Sequence, residues 1–188
     1  MSSHDAFPTS APRALRDPDV LRKRLRAVRT EPAVRPLNDW VEKLRGRLGV
    51  GEAVPWFDPA CGRVGARSLF LLEAPGQKSM GAEVELRRTG SGIISVDNDD
   101  QTAQNCWTLR AEAGLPYHES VHWNVVPWYL GSADRVAAPK RTEIQGAAPF
   151  LHEVIAMVPA LEVVVPGREV FWRRRVDAAV RSGSLFQW

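Results

Sequence analysis

At 188 residues, 44% of them hydrophobic, the chain suits one domain with a substantial core, since a domain of this size buries roughly 70% of the surface its unfolded chain exposes. Two cysteines without paired spacing, Cys61 and Cys106, argue against a disulfide framework and a four-thiolate metal site, and no apolar run approaches the roughly 20 residues of a membrane span. The formal charge of +3 is uneven, because residues 1–50 carry 11 Lys/Arg against 6 Asp/Glu, a bias that permits contact with a polyanion such as DNA and equally describes a solvated helix face.

The N-terminal "MSSHDAFPTSAPRALRD" has no apolar stretch of the secretory kind, and with the cysteine usage this implies a soluble protein of the reducing cytoplasm. Residues 1–16 are polar and Pro-containing and are expected to be flexible, leaving residues 17–188 as the domain. "DPDVLRKRLRAVRTEP" predicts a helix with Asp17 as cap and Pro18 at its first position. "LNDWVEKLRGRLGV" predicts another, with Trp40, Val41, Leu44 and Leu48 at helical spacing, Asn38 as cap and Gly49 at its end. The stretch "GEAVPWFDPACGRVGA" reads as a loop.

Three segments then share one design, an apolar run stopped by proline: "SLFLLEAPG", "VHWNVVPW" and "LEVVVPG". Runs without alternation suit strands buried on both faces, as in a parallel sheet covered by helices. Helical segments lie between and after them. "DDQTAQNCWTLRAEAGL" places Ala103, Cys106, Trp107 and Ala113 along one side, with Asp99 or Asp100 as cap and Gly114 as terminator; "APFLHEVIAMVP" and "REVFWRRRVDAAVRSG" are the others. The alternation predicts an α/β domain, a three-layer αβα arrangement with a mainly parallel central sheet. Ligands of such sheets bind outside the carboxyl ends of the strands, where Glu73 stands.

A carboxylate at a strand end beside a Pro-Gly turn can stay ionised, face a cleft and act as general base; it can also cap a following turn. Asn124, a carboxamide among apolar neighbours in "VHWNVVPW", offers one acceptor and two donors, enough to pair with the edge of a uracil-like base or to be satisfied by backbone. "HESVH", His118 to His122, matches a zinc-protease pattern that works on a helix. Here the flanking residues read as strand, which sets the two imidazoles about 13 Å apart, too far to share a zinc. No metal is therefore expected. "DNDDQT", Asp97 to Thr102, lacks the glycine and terminal acid of a calcium loop and reads as helix capping. "TGSG", Thr89 to Gly92, reads as a flexible loop, Arg173 to Arg175 as a solvated helix face, and Trp128 and Trp172 as core packing with base stacking as the alternative.

Taken in order, "LEAPG", "SVDNDDQTAQN", "AGL", "VHWNVVPWYLG" and "VVVPGRE" resemble the uracil-DNA glycosylase superfamily over about residues 57–172. "LEAPG" is similar to that superfamily's water-activating motif in its glutamate form, with Leu72 where the thermostable iron-sulfur branch has glycine, and "WNVV" to the strand whose asparagine reads the uracil edge. The resemblance implies a uracil-DNA glycosylase-like fold, DNA containing uracil or a damaged base as partner, and hydrolysis of the base-sugar bond without metal or cofactor. It implies Glu73 as water activator, Asn124 as holder of the flipped base, and Ala74, Pro75 and Gly76 as the wall by which backbone approaches substrate.

Three departures shape the expectation. The iron-sulfur branch holds its cluster with four cysteines, whereas this chain has two, so no cluster is expected. A later loop of the His-Pro-Ser type has no counterpart here, implying a member shortened at its C-terminus and slowed by the loss of a donor to the leaving base. No Phe, Tyr or Trp stands between Gly76 and Asn98 to stack on a base. A non-catalytic relative that binds nucleic acid or a nucleotide is the alternative these departures leave open, and a zinc hydrolase built on "HESVH" is a distant third.

Overall fold

In the computed structural model, residues 7–81, 90–132, 135 and 137–167 are described. The predicted helix over "REVFWRRRVDAAVRSG", with Trp172 and Arg173 to Arg175, lies outside them, as does Thr89.

The three proline-stopped runs become strands of one parallel sheet. β2 (Ser68–Leu72) is central, β4 (Ser120–Asn124) pairs on one side of it and β5 (Val163–Pro166) on the other, with Leu72 opposite Asn124 and Leu71 opposite Pro166. The loop expected over "GEAVPWFDPACGRVGA" contains a further strand, β1 (Trp56–Phe57), which pairs in parallel with β3 (Ile93–Ile94). Two residues each are too short to show a period in sequence, so these strands exist only through their pairing.

Because side chains alternate across a strand, β2 and β4 each divide their residues between two cores. Leu69, Leu71, Val121 and Trp123 enter the larger core together with α2 (Arg35–Leu48) and α4 (Arg141–Ala156). Trp123 is fully buried there, stacked on Phe57 at 4.0 Å and edge-on to Trp40 at 5.7 Å. Phe70 enters the smaller core on the opposite face, with Cys106 of α3 (Gln101–Glu112), Val96, Ala60, Cys61 and Tyr117. Helices thus cover both faces of a parallel sheet, the α/β layering that buried strands require.

Several ends follow local chemistry. Asp17 accepts from the backbone N–H groups of Asp19 and Val20 to start α1 (Pro18–Ala27), Gly49 ends α2 at φ 66°, and Asp100 caps α3 through the Ala103 N–H at 2.8 Å. Others are decided by packing. α2 begins three residues before the expected cap, with Pro36 in its first turn, and Asn38 is instead buried, donating to the carbonyls of Val28 and Phe57 and accepting from the Phe57 N–H. Ala113, expected on the buried side of α3, is exposed, and Arg110 is buried in its stead. α4 starts seven residues before "APFLHEVIAMVP" and carries Pro149 in its interior, where both Pro149 and Gln145, whose carbonyl loses its helical bond, are exposed to water.

Residues 7–16 are anchored to the domain, which corrects for them the expected flexible segment 1–16. Thr9 hydrogen-bonds Asp97 and Tyr117, Leu15 is buried with its N–H on the Asp97 carbonyl, and Arg13 donates to Gln104. Polarity and proline content report on local preference and cannot show such distant partners.

Candidate functional site

Parallel pairing continues past the ends of β2 and β4, with the Val125 N–H on the Leu72 carbonyl at 2.8 Å and the Val126 N–H on the Glu73 carbonyl at 2.9 Å. This clamps the backbone of Glu73 at the carboxyl edge of the sheet, one residue beyond the Leu72–Asn124 pair. A cavity of about 580 Å³ opens at that edge, within the usual size of ligand pockets. Glu73, Ala74, Pro75, Gly76 and Asn124, singled out from sequence as one site, all line it.

The same wall takes Ile94 from β3 and Val96 from just beyond it, Ala103 and Cys106 from α3, and His122 from β4. Among the described residues no Phe, Tyr or Trp lines it. Trp128 packs edge-on to Phe150 at 6.2 Å and against the larger core, the structural use expected for it.

Gly76 has an ordinary backbone conformation, φ −82° and ψ 167°, and a Cβ added there would meet no atom. Glycine is therefore not required there for its backbone conformation; what it supplies is bare backbone on the cavity wall. Gly90 is the tightly packed one. A Cβ on it would lie 2.5 Å from the Gln77 carbonyl oxygen and 2.6 Å from that of Lys78, both cavity-lining residues. Ser91 is buried and donates to Asn98 Oδ1 at 2.6 Å, so residues 90–92 brace the wall rather than forming the flexible loop expected over "TGSG".

Asp58 and Asp97, both buried, share one guanidinium. Arg24 Nη1 donates to both Asp58 oxygens at 2.5 and 2.6 Å, and Nη2 to Asp97 at 2.7 Å and to the Phe7 carbonyl at 2.6 Å. Burial works against the charge on Arg24, but attraction to Asp58 and Asp97 outweighs it and holds the guanidinium above its ordinary pKa. Asp97 is raised by burial and by repulsion from Asp58, partly offset by Arg24 and by hydrogen bonds from Tyr117 and Thr9. Ser95 donates to Asp58, and Asn98 Nδ2 to Ser79 and the Ile93 carbonyl, so these polar lining residues are satisfied within the protein.

Beside the cavity, Arg13, Arg16 and Lys78 converge on Asp99 at 3.4, 2.8 and 3.6 Å. Of these only Lys78 lines the cavity, together with the carboxylates of Glu73 and Asp100. Hydrogen bonding from Arg16, with the charges of Arg16, Lys78 and Arg13, holds Asp99 below the usual carboxylate range.

The pieces of "HESVH" separate as expected: His118 is exposed on a 3-10 turn, Tyr117–Glu119, while His122 is buried on β4. Among the described residues no group of three or more His, Cys, Asp or Glu side chains could hold a metal ion, and no helix is long and apolar enough to cross a membrane. Both cysteines are buried free thiols, and burial pushes Cys61 well up and Cys106, on the cavity wall, up to about 11.

His122 is the lining residue that sequence reasoning weighed only as a zinc ligand. The available signal was the period of two that places it on the same strand face as Asn124. Its ring stacks on Phe70 at 4.6 Å and 18°, and burial, with the nearby Arg110 charge, lowers its pKa to about 3 despite the opposing charge of Asp58. It is neutral at pH 7. Compared with known proteins, the chain matches no family model, no curated protein and no solved structure.

Proposed function

We propose that the chain is a DNA glycosylase with a uracil-DNA glycosylase-like fold, hydrolysing the N-glycosidic bond of uracil or a related damaged base in DNA in the cytoplasm. The observation that carries this reading is the register of β2 on β4, which sets Glu73 and Asn124, distant in sequence, at neighbouring strand ends on one cavity. In the proposed reaction the Glu73 carboxylate takes a proton from a water whose oxygen attacks the anomeric carbon. The carbon–nitrogen bond breaks toward an oxocarbenium-like sugar, and its electron pair leaves with the base. Asn124 holds the extruded base by its amide, and the bare backbone at Gly76 lets the nucleotide approach closely.

Lys78 on the cavity wall, with Arg13 and Arg16 gathered beside it around Asp99, supports DNA as partner, because such side chains contact phosphates and release counterions. Binding should therefore weaken steadily as salt rises. The deciding experiment is base release from a uracil-containing oligonucleotide, single- and double-stranded. Release is expected, and Glu73→Gln should slow it at least about 10²-fold while leaving DNA binding intact. Binding without release by folded parent protein would instead identify a non-catalytic relative. Asn124→Asp should change which base is accepted, since it replaces an amide donor by an acceptor; an unchanged preference would remove Asn124 from its role.

A further inference from the structure

β4 ends His122-Trp123-Asn124, and alternation sends His122 and Asn124 to one face of the sheet and Trp123 to the other. Both line the cavity, at 3% and 1% exposure. Among the described residues, Nδ1 and Nε2 of His122 and Nδ2 of Asn124 have no hydrogen-bond partner. Such groups are expensive to bury, and native structures rarely leave them so without a reason. The imidazole cannot easily turn away, because its face is held against Phe70.

An orphaned atom alone does not indicate a ligand. Trp123 Nε1 and Arg110 Nε are also unpartnered, but neither residue lines the cavity. Elsewhere on the cavity wall, Ser79, Ser95 and Asn98 have partners within the protein. The unsatisfied polar atoms of the wall thus gather at the end of β4, beside Glu73. A neutral imidazole there supplies one N–H, and Asn124 supplies an amide donor. Two donors set two residues apart on one strand face suit a planar ring that carries two carbonyl oxygens, as uracil does.

Resting on the glycosylase reading above, we infer that His122 is a base-contacting residue, its imidazole N–H donating to a carbonyl oxygen of the base held by Asn124. When the bond to the sugar breaks, the electron pair passes to the base, and the negative charge on that oxygen strengthens the bond from His122. The imidazole keeps its proton. The water's proton goes to Glu73 and its oxygen to the sugar, and the base anion is later protonated from solvent. A donor preorganised in a dry site acts on the bond-breaking step more than on binding.

The test uses full-length protein with ¹⁵N-labelled histidine, titrated with uracil at pH 7, beside base-release assays. Uracil should shift a ring-nitrogen resonance of His122, assigned by its loss in His122→Phe, and leave the exposed His118 and His152 unmoved. His122→Phe should lower kcat for base release about 10²-fold with a smaller change in KM, and His122→Gln, which retains an N–H donor, should recover part of it. Unmoved His122 nitrogens, or a His122→Phe enzyme as fast as the parent, would overturn the inference, while Glu73-dependent release would leave the glycosylase reading standing. Resonances that move with uracil in a protein that releases no base would keep the contact and reject the reaction.

Discussion

Two sets of buried polar side chains sit near each other on the same side of the sheet and differ in one respect. Arg24, Asp58 and Asp97, all within 1% exposure, hydrogen-bond one another, with Ser95, Thr9 and Tyr117 completing the carboxylates' shells. His122 and Asn124 are almost as deeply buried and keep three nitrogen atoms unpartnered among the described residues. The first set is complete without a ligand and ties the N-terminal segment, the β1 end and the Asp97 turn together. The second finds no such partners among the described residues. A buried polar group therefore points to recognition when it lacks a partner and also faces a cavity; burial alone does not distinguish it from a brace.

The comparison breaks first at Arg24. Arg24→Met leaves two carboxylates buried without their cation, and stability to urea should fall by about 3–5 kcal/mol; a fall below about 1 kcal/mol would mean that the network is not a brace. Gly90→Ala comes next, since its Cβ would press on the backbone oxygens of Gln77 and Lys78. A loss of about 1–3 kcal/mol is expected, with altered uracil binding because the displaced residues line the cavity.

His122→Phe should do the reverse of Arg24→Met. Replacing an unsatisfied ring by an apolar one of similar shape should leave stability at pH 7 within about 1 kcal/mol of the parent, on the stabilising side. Its signature lies in the pH dependence. The folded-state pKa of about 3 is below the ordinary 6.5, so as pH falls through that window the unfolded chain binds a proton that the native chain does not. The parent should lose stability by up to about 1.4 kcal/mol per pH unit from this residue, and the variant should lack that slope. Equal slopes in urea titrations from pH 7 to 4 would place His122 in a wetter site than the one described. The smallest effect belongs to the cations around Asp99, where Arg16→Ala should change stability by less than about 1 kcal/mol while lowering the salt sensitivity of DNA binding.

Much of this architecture was legible in the chain because its causes are local. The three proline-stopped runs became the three strands of one sheet, and Asp17, Gly49 and Asp100 sit at helix ends, since a cap needs only its own first or last turn. The misread features answer to distant partners. Asn38 clamps Val28 and Phe57 rather than capping, Arg110 takes the buried place expected for Ala113, and the two-residue β1 and β3 are stabilised by each other.

The candidate site divides along the same line. The residue types of "LEAPG" and "HWN" were enough to nominate Glu73 and Asn124, because a carboxylate at a strand end and an amide in an apolar run can do chemistry there, although a turn cap and a backbone-satisfied amide explain them as well from sequence. Whether the two meet depends on strand register, and Leu72 lies opposite Asn124 because the apolar faces of β2 and β4, Leu69 and Leu71 with Val121 and Trp123, share the larger core. What His122 does was undecidable from sequence, for the satisfaction of a buried nitrogen depends on every atom within about 3 Å of it. Those atoms come from segments far apart in the chain, and tertiary structure alone brings them within or beyond that reach.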